Sequence, residues 1–202
     1  SIFLDVSFWS SQAVGDGGAV WVGGNVNLDN SPEFVNNIAG TGPYANGGGI
    51  YAMGTVFLGG GRSQSNTARI GGAIFATGSV FLNVHDTLTN TATYLGGCVY
   101  SAVSVRYNSA DAIGCHAASD GGAAYSSIVQ LSGNGVGHFT GNTAGNAGGL
   151  AYATQVEVDS AYVVSNTAGV MGGALYAIDR MTVTATSLTG NRAGISGGAL
   201  FA

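Results

Sequence analysis

The apolar positions of this chain fall into short runs that recur at a near-constant spacing. The most regular is a six-residue cassette of two glycines followed by small, aliphatic, aromatic and small residues. It begins at Gly17, Gly47, Gly71, Gly96, Gly121, Gly148, Gly172 and Gly197, at intervals of 30, 24, 25, 25, 27, 24 and 25 residues. A self-similar period of that length marks a solenoid or a propeller. The fourth position of the cassette reads Val20, Ile50, Ile74, Val99, Ala124, Ala151, Leu175 and Leu200. The fifth reads Trp21, Tyr51, Phe75, Tyr100, Tyr125, Tyr152, Tyr176 and Phe201, and is aromatic in every copy.

Each repeat carries a second apolar element, a short strand with apolar residues at alternate positions. It reads Ile2-Phe3-Leu4, Val26-Asn27-Leu28, Val56-Phe57-Leu58, Val80-Phe81-Leu82, Val103-Ser104-Val105, Val129-Gln130-Leu131, Val156-Glu157-Val158 and Met181-Thr182-Val183. With a side-chain period of two, the flanking pair faces a core and the middle residue faces out. A third element is an asparagine, at Asn37, Asn66, Asn90, Asn142, Asn166 and Asn191, most often six residues before the double glycine. Asparagine tolerates left-handed backbone and bonds to nearby main chain, so these positions suit corners. Stacked coil on coil, they would also pass hydrogen bonds along a ladder. Ser11 and Cys115 occupy the same offset in two repeats, where the ladder would be interrupted.

Three short strands and three turns in about 25 residues, with no helical stretch, describe one rung of a parallel β-helix. The fold class expected is therefore all-β, a solenoid of about eight rungs, spanning 1–202 as a single domain. At a strand spacing of about 4.8 Å the rungs make a rod of roughly 35 to 40 Å. A propeller blade needs a longer repeat, and the leucine lattice of leucine-rich repeats is missing. The longest interval holds Pro43 with neighbouring glycines, which predicts a loop bulging from the second corner, between Asn36 and Tyr44. The first and last residues stand at the same phase of the repeat, and neither end offers charge, proline or a helix as a cap. The expectation is a segment of a longer array, or a protomer that self-associates head to tail into a filament.

The cassette and the asparagine together resemble the repeat of the polymorphic outer membrane proteins, the chlamydial-type autotransporter passengers marked by Gly-Gly-Ala-Ile and Phe-x-x-Asn motifs. Gly71-Gly72-Ala73-Ile74 matches the first motif in full, and the copies at Gly172 and Gly197 match it with leucine. Phe34 to Asn37 and Phe139 to Asn142 match the second, while Val163 to Asn166 and Leu188 to Asn191 carry aliphatic substitutes. The resemblance covers the whole chain. It implies a right-handed parallel β-helix at a cell surface or outside the cell, used in adhesion.

Composition narrows the partners further. A formal charge of −5, five arginines and no lysine make a nucleic-acid partner inconsistent with phosphate binding, which needs clustered cations. No apolar run is long enough to form a membrane-spanning helix. Cys98 and Cys115 form either one disulfide or two buried thiols.

Candidate chemistry is sparse. The acids are dispersed, and the best catalytic grouping is Glu157 and Asp159 on one strand face with Asp179 near the same corner one rung later. His85, His116 and His138 sit at unlike offsets, which reads as isolated surface or corner histidines and not as a metal site. Thr182, Thr184 and Thr186, and Thr87, Thr89, Thr91 and Thr93, each form an aligned set of the kind found on ice-binding solenoids, but neighbouring rungs do not repeat them. No catalytic, cofactor or metal residues are therefore assigned, and no enzyme activity is expected. The aromatic fifth position is the sharper feature. If the aliphatic fourth position points inward, eight rings point outward as an interaction face for protein or carbohydrate. If the rings point inward, they form a core stack. The function expected is a stiff structural or adhesive surface element, with a polysaccharide-binding or polysaccharide-degrading protein as the alternative.

Overall fold

A computed structural model describes residues 7–40 and 42–202. The expected strand at Ile2-Phe3-Leu4 lies outside these residues. Every strand among the described residues pairs in parallel with its equivalent one coil away, giving a β-solenoid of about eight turns without any helix. The glycine cassettes lie in one axial file. Ile50, Ile74 and Val99 are successive register partners, as are Ala151, Leu175 and Leu200.

The coil has three walls. The cassette strand and the apolar strand after it form one 12-stranded sheet, and two 8-stranded sheets complete the cross-section. In one coil the order is Ile74–Ala76, Val80–Asn83, Asp86–Leu88 and Thr91–Leu95. In later coils the first two segments fuse into single strands, Ala124–Ser132, Ala151–Asp159 and Leu175–Thr184. Each rung therefore has four strand segments on three walls, where the sequence pattern suggested three strands.

Left-handed residues turn the chain at the corners, singly or in adjacent pairs such as Asn30-Ser31 and Gly60-Gly61. The first glycine of every cassette has φ between 61° and 67°. The second glycine serves a different end, because a Cβ on Gly72 would collide with the Gly97 carbonyl oxygen of the next coil. At the asparagine corner the left-handed residue precedes the stacked asparagine: it is Asn36, Ser65, Thr89, Gly141, Ser165 or Gly190. The stacked asparagines thus do not supply the left-handed turn expected of them, although at the first of these corners a second asparagine, Asn36, does. The 30-residue repeat places its extra turn later than expected, at the end of the third wall, where the Ala45 amide bonds to the Gly42 carbonyl.

The asparagines instead point into the core. Asn37, Asn66, Asn90, Asn142 and Asn166 are fully buried. Asn37 Nδ2 donates to Asn66 Oδ1 and Asn66 Nδ2 to Asn90 Oδ1, both at 2.9 Å. The file resumes with Asn142 to Asn166 at 2.9 Å and Asn166 to Asn191 at 3.0 Å. Each Oδ1 also accepts from a corner main-chain N–H that has no place in a sheet, such as Asn66 N onto Asn90 Oδ1 at 2.8 Å. The file breaks at Cys115, as expected, and a Cys98–Cys115 disulfide fills the break. Asn90 Nδ2 donates to Cys98 Sγ at 3.1 Å, and Cys115 N donates to Asn142 Oδ1 at 2.9 Å.

The aliphatic positions build the core. Ile50, Ile74, Val99 and Leu175 are fully buried, as are Val56, Leu58 and Val80. One strand is framed differently from the sequence expectation. Val105 pairs with Val80 and Tyr107 with Leu82, so the core pair is Val105 and Tyr107, and Val103 is 48% exposed. The Tyr107 ring crosses the coil to bond Thr87 Oγ1 at 3.0 Å and meets Phe139 edge to face at 5.7 Å. Burial raises its pKa well above the ordinary phenol value. Thr87 is consequently buried while Thr89 turns the corner, so the two threonines do not share a face. Thr182 and Thr184 do share one, but Ala185 turns the chain before Thr186, and their partners in the preceding coil are Glu157 and Asp159.

Candidate interaction surface

The widest outward surface is the 12-stranded wall, which carries two axial stripes. The first stripe is the fifth cassette position. Because the fourth position is buried along the file, the two-residue period turns the rings out, and all eight stack in one column. Centroid separations are 6.2 Å for Trp21–Tyr51, 4.9 Å for Tyr51–Phe75 and Phe75–Tyr100, and 5.6 Å for Tyr100–Tyr125. They continue at 5.0 Å, 4.7 Å and 5.2 Å through Tyr152 and Tyr176 to Phe201. The planes are parallel to within 8°. Rings held parallel at the coil repeat lie within the range of favourable offset stacking. Each ring turns its faces toward its neighbours, so Tyr51 to Phe201 are half-buried and Trp21, at the start of the column, is 56% exposed. Burial raises the pKa of Tyr51, Tyr125 and Tyr152 above the ordinary phenol value, with Asp16 adding to the shift at Tyr51 and Asp120 at the other two.

The second stripe is the middle position of the following segment. Asn27, Phe57, Phe81, Arg106, Gln130, Glu157 and Thr182 are successive register partners. From Phe57 to Thr182 they line two hollows that meet at Arg106. One, of about 260 Å³, is bordered by Phe57, Phe81 and Asn83; the other, of about 420 Å³, by Gln130, Glu157, Asp159 and Thr182. Gln130 Nε2 donates to Glu157 Oε2 at 2.8 Å. Sequence reasoning gathered Glu157, Asp159 and Asp179 into one group. Glu157 and Asp159 do border the larger hollow, but Asp179 sits at the irregularity between Ala177 and Arg180, where the strand register shifts, and does not line it. Arg106 was missed because the strand around it was framed two residues early.

The histidines divide three ways, and one is a corner residue that is buried, not exposed. His85 is fully buried, with Nδ1 against the Gly60 carbonyl and Nε2 at 2.9 Å from Ser63 Oγ. A carbonyl only accepts, so Nδ1 carries the proton and Ser63 donates to Nε2. Burial lowers the His85 pKa to about 4. His116 is exposed and bonds Thr143 Oγ1 at 2.8 Å. His138 stacks on Tyr162 and lies 3.5 Å from Asp111. Among the described residues no three His, Cys, Asp or Glu side chains gather as metal ligands. Among the described residues no helix is long and apolar enough to cross a membrane.

Comparison with protein-family models, curated proteins and solved structures gives no match.

Proposed function

We propose that this chain is an extracellular or cell-surface β-solenoid, a stiff spacer that presents the aromatic column as an adhesive interface to protein or carbohydrate. The observation that carries this reading is the column itself. Eight rings stand in one outward file along the rod, held at the coil repeat by the backbone ladders beneath them. A continuous outward aromatic stripe, half-buried only by its own stacking, is the usual mark of an interface. Stacking fixes the rings in place, so binding freezes little side-chain freedom. The Cys98–Cys115 disulfide suits an oxidising compartment, and the resemblance to polymorphic outer membrane repeats points the same way. Head-to-tail association of such rods belongs to the same reading.

The test is adhesion. Beads coated with the protein are settled on an epithelial cell layer and on immobilised polysaccharide, then sheared. Replacing Tyr125 and Tyr152 together with serine leaves the core positions intact and should cut bead retention severalfold. Unchanged retention on both surfaces would remove the column from the mechanism. A second reading, a polysaccharide-binding or polysaccharide-degrading solenoid, draws on the neighbouring hollows, where Glu157 and Asp159 stand beside Gln130.

A further inference from the structure

The second stripe differs in kind from the first. The cassette rings cover one another, whereas the neighbouring stripe offers a different group at each coil: two aromatic rings, then a guanidinium, an amide, a carboxylate and a hydroxyl. Arg106 stands at the junction of the two hollows and is exposed. Neither ion pair among the described residues involves it, since these join Arg62 to Glu33 and His138 to Asp111. In a chain with five basic residues and ten acidic ones, an unpaired arginine at the middle of a groove is a ready partner for an anion. Phe57 and Phe81 border the hollow on one side of it. On the other side, Gln130 is held by its bond to Glu157, which leaves Gln130 Oε1 and Glu157 Oε1 free to face a ligand.

We infer that this groove binds a linear glycan bearing sugar carboxylates, lying along the rod axis with one carboxylate on Arg106, a sugar ring on Phe57 or Phe81, and hydroxyls on Gln130 and Glu157. The repeat supports a saccharide over a peptide. Successive outward residues stand one coil apart, 4.7 to 5.6 Å by the neighbouring rings, which is close to the rise of one sugar unit in an extended chain. Extended peptides gain much of their affinity by adding a strand to a free sheet edge. Here the strands that carry Phe81, Arg106, Gln130 and Glu157 are paired on both sides, so no main-chain edge is available along the stripe. Side chains must supply all recognition. Planar guanidinium, amide and carboxylate groups are suited to ring hydroxyls and carboxylates. The Arg106 guanidinium forks onto a carboxylate, and the Phe faces take the apolar side of a sugar ring.

This inference goes beyond the aromatic column and does not depend on it. The probe is a short galacturonic acid oligomer, titrated by calorimetry against the whole chain, with its methyl ester as the uncharged counterpart. The acid form should bind, and the ester should bind at least tenfold more weakly. Arg106→Ala should weaken the acid form tenfold or more, Arg106→Lys less, and Phe81→Ala severalfold, each with an unchanged melting curve. The Tyr125 and Tyr152 double replacement should leave this binding intact, which separates failure of the groove from failure of the column. Equal binding of acid and ester, indifference to Arg106→Ala, or no binding of the acid form would each overturn the assignment. Equally tight binding of polyglutamate would overturn the choice of a sugar.

Discussion

Asn166→Ala isolates what the buried asparagine file contributes. Its amide makes four hydrogen bonds: Nδ2 donates to the Phe139 carbonyl at 2.8 Å and to Asn191 Oδ1 at 3.0 Å, and Oδ1 accepts from Asn142 N at 3.0 Å and Asn142 Nδ2 at 2.9 Å. Truncation strands the Asn142 main-chain N–H in the core, at about 1–3 kcal/mol, and forfeits three further bonds at about 1 kcal/mol each. The alternative partners kept by Asn142 Nδ2, which still reaches the Ala112 carbonyl at 2.8 Å, soften the total. A loss of about 3–5 kcal/mol is expected, and for a chain of this length that lowers the melting temperature by roughly 10 °C. Urea unfolding followed by circular dichroism measures it, with Asn191→Ala as the comparison. Asn191 is only partly buried, so its replacement should cost about half as much. A loss below about 1 kcal/mol for Asn166→Ala, or one no larger than for Asn191→Ala, would show that the file adds nothing beyond the sheets.

Four further outcomes follow from side chains already placed. The His85 pKa is depressed from its ordinary 6.5 to about 4, so the unfolded chain binds a proton first. Stability should be full above pH 6.5 and fall by up to about 3 kcal/mol as pH drops toward 4, a slope that His85→Gln should remove in pH-dependent melts. Reducing the Cys98–Cys115 bond, which closes a loop over a separation of 17 residues, should cost about 3 kcal/mol in a urea titration with and without reductant. Ile74→Asp places a charge in the fully buried file and should abolish the folded circular dichroism signal, whereas Glu157→Ala should stay within about 0.5 kcal/mol of the parent. Val84, a β-branched residue at φ 56° whose side chain is 56% exposed, gains little from its contacts, so Val84→Gly should stabilise by about 1 kcal/mol in the same titration.

The repeat, the parallel coil and the aliphatic file were legible because the cassette states them eight times. The outward turn of the rings was left open, since small third and sixth positions allow either packing, and the burial of the fourth position decides it. The strand around Arg106 was misframed because Val103, Val105 and Tyr107 alternate through two equally apolar frames. Only the reach of Tyr107 across the coil to Thr87 separates them. The asparagine corners were located correctly, and of the two properties expected of them the hydrogen-bond ladder is present while the left-handed turn falls to the residue before. Their position is also marked by the glycine, serine or threonine just before most of them, which bears the left-handed turn. His85 read as a surface or corner residue, and its burial at the corner was not foreseen because nothing local reveals the Ser63 hydroxyl waiting one coil earlier.

The asparagine file has a sense of direction. Each amide takes a proton bond from the coil behind and gives one to the coil ahead, so reversing one member would set oxygen against oxygen. Two copies meeting tip to tip could prolong this internal wire only by pointing the same way. Growth of such an assembly would be polar, like an arrow fitted to the tail of another arrow, and its two tips would add material at different speeds.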